Sequence, residues 1–242
     1  MKIFQEIMNA IFPAPRICPL CGVKREKPEI CHFCREKLEL IREEGFCHRC
    51  GTFGYQTEEC ENCREWPSYL VQNKALFPYA EEYRELIQNY KFRHEGWLLS
   101  PCLELISFEG TFDFLRSSSA EALLIPVPLH PKRLRERGFN QAEPLAEKLA
   151  ELWAVELRKD ILFRKKNTRH QTGLNQIERK NNLQEAFGTK NVEDLKGKKI
   201  ILVDDILTTG STLLECAKAL KDGGVEEVYG FTLAAGAKSS LW

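Results

Sequence analysis

Residues 198–224 read KKIILVDDILTTGSTLLECAKALKDGG, an apolar run, an acidic pair, a polar turn and an amphipathic segment in that order. The run 200–203 has the continuous hydrophobicity of a strand that is buried on both faces of a parallel sheet. Apolar residues then recur at helical spacing from Leu213 to Leu220. We therefore expect Asp204 and Asp205 at the end of the strand, at the edge where open α/β sheets bind ligands.

The polar turn after the acidic pair predicts an anion site. Glycine has no Cβ, so backbone N–H groups beside it can approach a phosphate closely. Hydroxyl groups and the positive end of the following helix converge on the same place. A carboxylate pair would repel this phosphate, but it suits the two O–H donors of a ribose diol or the water shell of Mg²⁺. The sequence thus predicts a pocket for a 5′-phosphorylated ribose, with the phosphate held by Thr208, Thr209, Gly210, Ser211 and Thr212.

This segment resembles the motif with which type I phosphoribosyltransferases bind 5-phosphoribosyl 1-pyrophosphate (PRPP). A Walker B strand is also apolar with an acidic end, but its GxxxxGK[ST] partner occurs nowhere in the chain. An ordinary strand–helix unit with a polar loop is the other alternative. The resemblance implies an α/β fold in which helices flank a parallel sheet, with Mg²⁺ accompanying PRPP.

Eight of the ten cysteines form four CxxC pairs, and the pattern repeats with an offset of 29 residues. Two thiolates in a tight CxxC turn can face one tetrahedral ion, so four pairs predict two Cys₄ zinc sites. Sequential pairing fits the repeat, while interleaved pairing stays open, and disulfides are a weaker alternative because no export signal is evident. His32 and His48, which lie inside two of the pairs, are interpreted as bystanders. The predicted ligands are Cys18, Cys21, Cys31 and Cys34 in one site, and Cys47, Cys50, Cys60 and Cys63 in the other.

Length and composition allow a core domain with a smaller module attached. The 242 residues carry 35 Lys+Arg and 35 Asp+Glu, so the net charge alone excludes no class of partner. The CxxC pairs stop before Trp66-Pro67. This predicts an N-terminal helix with a double zinc ribbon over 1–66 and the phosphoribosyltransferase-like domain over 67–242. We expect zinc to supply much of the folding energy of so short a module, and we expect no membrane span.

Positive charge is concentrated in residues 130–180, which carry 13 Lys/Arg against 7 Asp/Glu. The apolar strand 122–128 leads into the basic loop LHPKRLRERGFNQ, and guanidinium groups there suit a second anion. In phosphoribosyltransferases the corresponding loop binds pyrophosphate. The resemblance implies that role here for Lys132, Arg133, Arg135 and Arg137, and a solvated basic loop is the alternative.

The segment 164–180 is basic and has no apolar periodicity, which predicts a segment that is mobile without ligand. It is interpreted as a lid over PRPP, as a strip that contacts the phosphates of single-stranded DNA, or as both. His170 is interpreted as a polar loop residue rather than a general base. The predicted DNA contacts are Arg164, Lys165, Lys166, Arg169, Arg179 and Lys180.

In their order along the chain, the four CxxC pairs, VPLHPKRLRERGFNQAEPLA, RHQTGLNQIERKNNLQEAF and VDDILTTGST resemble the ComF (ComFC) competence family. The resemblance implies a cytoplasmic bacterial protein that acts on incoming single-stranded DNA in natural transformation, with a ComFA-type helicase as partner. Two functions follow. One is a working phosphoribosyltransferase with Asp204 and Asp205 as catalytic residues, and the other is a non-catalytic DNA-binding adaptor for the helicase.

Overall fold

A computed structural model describes residues 14–93, 96–108, 122–166, 183–225 and 227–238. The strands of these ranges are β1 (Leu70–Pro78), β2 (Ala122–Pro126), β3 (Glu156–Leu157), β4 (Leu162–Arg164), β5 (Phe187–Thr189), β6 (Lys199–Leu207) and β7 (Val228–Ala235). Five of them form one parallel sheet in the order β1-β7-β6-β2-β3. β4 and β5 pair separately as an antiparallel hairpin.

Helices connect these strands and pack on the sheet. They are α1 (His32–Glu43), α2 (Glu81–Arg93), α3 (Leu99–Leu103), α4 (Pro131–Arg137), α5 (Ala142–Trp153) and α6 (Ser211–Asp222), with short 3₁₀ turns at Gly96–Leu98, Glu104–Phe108 and Glu193–Leu195. Within the ranges that the structure describes, none of them combines the length and the apolar character that crossing a membrane requires.

Apolar residues cover both faces of the parallel sheet. Alternation along β6 sends Ile201 and Val203 into a core shared with α2, α3 and α5. Ile200 and Leu202 enter a second core, shared with α6 and the β4–β5 hairpin. Each buried side chain of this size contributes about 1.5–3 kcal/mol relative to leaving it exposed. The predicted class, a parallel sheet flanked by helices, is therefore confirmed.

Two elements near the acidic pair differ from the sequence prediction. β6 does not end before Asp204 but continues to Leu207, because β7 pairs with it as far as Ala235. Cross-strand pairing outweighs the low strand propensity of aspartate here. The basic loop after β2 contains the helix α4, which has Pro131 in its first turn and ends at Gly138, whose φ is 86°.

The basic segment 164–180 begins at the last residue of β4 and continues into the connection between β4 and β5. Residues 167–182 of that connection, with His170 and the predicted DNA contacts Arg169, Arg179 and Lys180, lie outside the described residues. The predicted N-terminal helix also lies outside them, in residues 1–13. The lid and the N-terminal helix therefore stay predictions.

Candidate functional site

The acidic pair lies where β6 runs past the end of β2. Pro126, the last residue of β2, pairs with Val203, whereas β7 stays beside β6 beyond that point. Asp204 and Asp205 are thus flanked by a strand on one side only. They are 8% and 4% exposed, and one oxygen of each carboxylate accepts the N–H of the following residue at 2.9 Å.

The two carboxylates have different electrostatic surroundings. Burial raises the pKa of Asp204 well above its ordinary value, and the neighbouring carboxylate of Asp205 raises it further. The ammonium group of Lys91, on α2, lies 2.7 Å from Oδ2 of Asp205. One carboxylate is therefore paired with a cation, while the other favours a proton, a hydroxyl donor or an added cation. This asymmetry suits a ligand that brings hydroxyl groups and Mg²⁺ together.

The polar turn follows directly from the end of β6. Gly210 has a φ of 76° and is the N-cap of α6. This left-handed conformation favours glycine. The hydroxyl oxygens of Thr209 and Ser211 lie 2.8 Å apart, and the carbonyl of Gly210 accepts from the N–H of Leu214 at 2.9 Å. The structure thus brings the acidic pair and the hydroxyl-rich turn into one strand–turn–helix unit.

Helix α4 divides the four predicted pyrophosphate residues into two groups. Arg133 and Arg137 are one helical turn apart and half-buried, whereas Lys132 and Arg135 are exposed. Burial lowers the pKa of Arg133, and the nearby Arg137 lowers it further. A guanidinium nitrogen of Arg137 donates to Oε1 of Gln141 at 2.6 Å. The first pair faces the protein and is oriented by it, while the second pair faces solvent.

Arg164 belongs to the interior and not to the surface strip in which the sequence placed it. Its side chain is 7% exposed and its guanidinium lies 5.3 Å from the ring centre of Phe187. Burial lowers its pKa, the charge of Arg133 lowers it further, and the carboxylate of Asp204 raises it. The guanidinium is therefore buried, and the contact of Arg164 with DNA stays a prediction. Lys165 and Lys166, by contrast, are exposed.

Lys91 is a site residue that sequence reasoning did not identify. It follows the apolar positions of α2, and its role depends on how α2 packs against the sheet. The preceding Tyr90 donates its hydroxyl hydrogen to the carbonyl of Gln141. Burial, followed by the charge of Asp205, raises the pKa of Tyr90. The sequence shows Lys91 at the end of an amphipathic helical pattern. That pattern does not predict which strand the lysine side chain contacts.

The eight CxxC cysteines converge as two sequential tetrads, Cys18–Cys21–Cys31–Cys34 and Cys47–Cys50–Cys60–Cys63. In each tetrad the four sulfur atoms lie within 4.8 Å of one another. Measured pairs are 3.7 Å apart for Cys21–Cys31 and 3.4 Å apart for Cys47–Cys63. Four Zn–S bonds of about 2.3 Å in a tetrahedron place the sulfurs about 3.8 Å apart. Each tetrad therefore fits one Zn²⁺, the pairing is sequential, and all ten cysteines, which lie in the described ranges, are free of disulfides.

Comparison with known proteins gives two domain matches and relatives that align over most of the chain. Residues 135–241 match the model of the phosphoribosyl transferase domain, and residues 7–64 match that of the double zinc ribbon domain. Competence protein F of Haemophilus influenzae is 32% identical over 214 residues, which cover 86% of this chain and 91% of the relative. The chain belongs to the ComF/ComFC competence family.

Other members of the ComF/ComFC family and related proteins match over similar lengths. Competence protein ComFC of Bacillus subtilis is 31% identical, with 86% of this chain and 85% of the relative covered. DNA utilization protein YhgH of Escherichia coli K12 is 27% identical, with coverages of 88% and 94%. Residues 65–134 of this ComF/ComFC chain lie between its two domain matches. Lys91 and Trp66, which contact the site, both come from that interval.

Proposed function

We propose that this protein binds PRPP with Mg²⁺ at the carboxyl edge of β6 and acts as a phosphoribosyltransferase-like protein in natural transformation. The observation that carries the proposal is the buried acidic pair placed immediately before the turn at Gly210. A diol-binding group and a phosphate-binding turn in that order match the two ends of a phosphorylated ribose. The printed names of the relatives, competence proteins F and ComFC, support the biological role.

The residues divide the ligand among them. Residues 208–212 hold the 5′-phosphate, Asp204 and Asp205 accept hydrogen bonds from the ribose hydroxyls, and the half-buried Arg133 and Arg137 face the pyrophosphate. The buried guanidinium of Arg164 adds positive charge from the protein interior, on the side of Asp204. Asp204 and Asp205 would also hold Mg²⁺, which would supply charge neutralisation for the bound pyrophosphate. Lys132 and Arg135, on the solvent side of α4, contribute to the positive electrostatic potential that attracts the anion.

Transfer requires the C1–O bond of PRPP to break, with its electron pair leaving on pyrophosphate. An acceptor then donates an electron pair to C1. Positive charge that develops on the ribose is favoured by Asp204 and Asp205, and the negative leaving group is favoured by the arginines. No nucleophilic side chain is needed, so catalysis rests on positioning and charge stabilisation.

A calorimetric titration of the zinc-loaded protein with Mg·PRPP tests the proposal. We expect the wild type to bind, and we expect Asp204→Asn/Asp205→Asn to lose binding while its circular dichroism is unchanged. Asp194→Asn, at an exposed aspartate outside the site, is the matched control and should bind normally. Undiminished binding by the double variant would remove the acidic pair from the ligand site.

A second function, binding of single-stranded DNA, is favoured by the exposed Lys165 and Lys166 on the β4–β5 connection. Under this proposal the protein works in the cytoplasm beside a ComFA-type helicase, an assignment that rests on the family resemblance. Lys165→Ala/Lys166→Ala should lower the salt slope of single-strand binding by about 1.4, since each phosphate contact contributes roughly 0.7. Lys218→Ala/Lys221→Ala, at two exposed lysines of α6, is the control. Equal slopes in the two variants would argue against this surface.

A further inference from the structure

Trp66 connects the second cysteine tetrad to the polar turn after β6. Its backbone N–H donates to the carbonyl of the zinc-ligand residue Cys63 at 2.9 Å. Its own carbonyl accepts from a guanidinium nitrogen of Arg49 at 2.7 Å. Arg49 lies between Cys47 and Cys50 in the sequence. Both knuckles of the second tetrad therefore fix the backbone of Trp66.

The indole of Trp66 lies directly against Gly210. Trp66 is 7% exposed. A Cβ placed on Gly210 would overlap Cζ2 of the indole and would lie 2.9 Å from its Cη2. The residue at the centre of the predicted phosphate turn is thus in van der Waals contact with a rigid aromatic plane. Since Gly210 also has a left-handed φ, this contact helps to hold a conformation that the isolated chain would populate only in part.

The first cysteine tetrad has a different environment. Cys18, Cys31 and Cys34 belong to the core on the other face of the sheet, together with α2 and α3. The second tetrad and Trp66 belong to the core that contains Leu213, in the first turn of α6. Only the second tetrad therefore shares a core with the polar turn among the residues that the structure describes.

We propose that the second zinc ribbon is a working part of the anion site, because through Trp66 it holds the turn at Gly210 in its binding conformation. For its ligand this inference rests on the proposed PRPP function. Coupling between two sites is reciprocal. Zinc in the second tetrad strengthens binding of a 5′-phosphate, and a bound 5′-phosphate in turn slows the loss of zinc from that tetrad. Trp66 acts as a positioning residue in this coupling and does not touch the ligand.

Hydrogen exchange of the backbone amides of residues 208–214, measured on the zinc-loaded protein without ligand, is the deciding experiment. Trp66→Leu should raise the exchange rate of these amides. The matched control is Trp153→Leu, which makes the same change at another buried tryptophan, packed on Phe231 in the opposite core. It should leave the exchange of residues 208–214 unchanged. If Trp66→Leu does not fold, Trp66→Phe, which keeps a smaller ring, carries the same comparison.

Two further measurements use Mg·PRPP as the probe. Trp66→Leu should weaken its binding by about tenfold, and PRPP should slow the transfer of one of two zinc ions to a chromogenic chelator in the wild type but not in Trp66→Leu. Unchanged amide exchange in Trp66→Leu would overturn the coupling whatever the PRPP affinity. Absence of PRPP binding in the wild type would instead overturn the proposed function, and amide exchange would still decide the coupling.

Discussion

The two zinc ribbons have the same cysteine spacing, yet they support opposite faces of one sheet. The first tetrad has one exposed ligand, Cys21, and packs with the helices α2 and α3. All four ligands of the second tetrad are buried, in the core of α6. A repeated metal knuckle thus sets the local turn, whereas its surroundings determine which part of the molecule it stabilises.

The ribbons also differ in how their backbones join the sheet. The second ribbon is bonded into it. The N–H of Phe53 donates to Gly236 at 2.9 Å and its carbonyl accepts from Lys238 at 3.1 Å, while the N–H of Asn73 donates to Arg49 at 2.7 Å. The first ribbon reaches β1 through a side chain of α1, since Arg42 donates to the carbonyl of Leu76 at 2.8 Å. The second ribbon is therefore the more deeply integrated of the two.

Removing two ligands from each tetrad tests this difference most strongly. Structural zinc contributes on the order of 10 kcal/mol to folding of such modules. Cys60→Ser/Cys63→Ser should therefore lower the Tm much further than Cys31→Ser/Cys34→Ser, because it releases backbone that is bonded to the sheet. Zinc content and thermal unfolding of both variants provide the measurement. Equal losses of Tm at one zinc ion per chain would show that the ribbons are equivalent.

The core of the first ribbon reaches the acidic pair through α2, and Lys91→Met breaks that link. The substitution leaves Asp205 buried without its cation, which should cost up to about 3–5 kcal/mol at pH 7. Burial raises the pKa of Asp204 and Lys91 lowers it, so without Lys91 the folded state holds the proton of Asp204 still more tightly than the unfolded state does. The loss of stability should therefore grow as pH rises and shrink as pH falls. Urea unfolding from pH 5 to pH 8 measures it, with Lys91→Arg as the charge-conserving control, and a loss independent of pH would contradict the ion pair.

A double-mutant cycle on Trp66 and Gly210 sharpens the assignment of the second ribbon to the turn. Gly210→Ala should destabilise by about 1–3 kcal/mol, because it combines a left-handed φ with a clash against the indole. In the Trp66→Leu background the clash is relieved, so the cost should fall by about 1 kcal/mol and leave the strain of φ. Chemical denaturation of the four proteins gives the coupling energy. Additive effects would mean that the two residues are independent.

The smallest expected effect is a gain in stability from Asp204→Asn. Because the folded pKa of Asp204 is raised, the folded state holds its proton more tightly than the unfolded state, and the carboxylate destabilises the fold as pH increases. The amide removes this cost, so the Tm of the variant should exceed that of the wild type by a few degrees at pH 8 and approach it in acid. A pH series of thermal unfolding tests this. A lower Tm at pH 8 would show that the carboxylate is stabilised by its surroundings.

Local features of the sequence predicted the site, and packing determined what the sequence did not predict. The acidic pair and the turn at Gly210 lie next to each other in the chain, so their proximity follows from a single strand–turn–helix pattern. The approach of Lys91 depends on the placement of α2, and the burial of Arg164 depends on how the β4–β5 hairpin folds over Phe187. Neither contact can be predicted from the local spacing of apolar residues along the chain. The CxxC repeat predicted two metal sites, but its perfect offset could not reveal that the tetrads enter different cores.

β1 is an edge strand of the parallel sheet, and this exposes the newly synthesised chain to unwanted strand pairing. A parallel strand at an edge presents unpaired N–H and carbonyl groups that can recruit a strand from another chain. The bond from Asn73 to Arg49 shows that the second ribbon lies over this edge. A newly synthesised chain that lacked zinc would leave the edge uncovered. We therefore expect zinc-free chains to associate through this edge more readily than zinc-loaded ones.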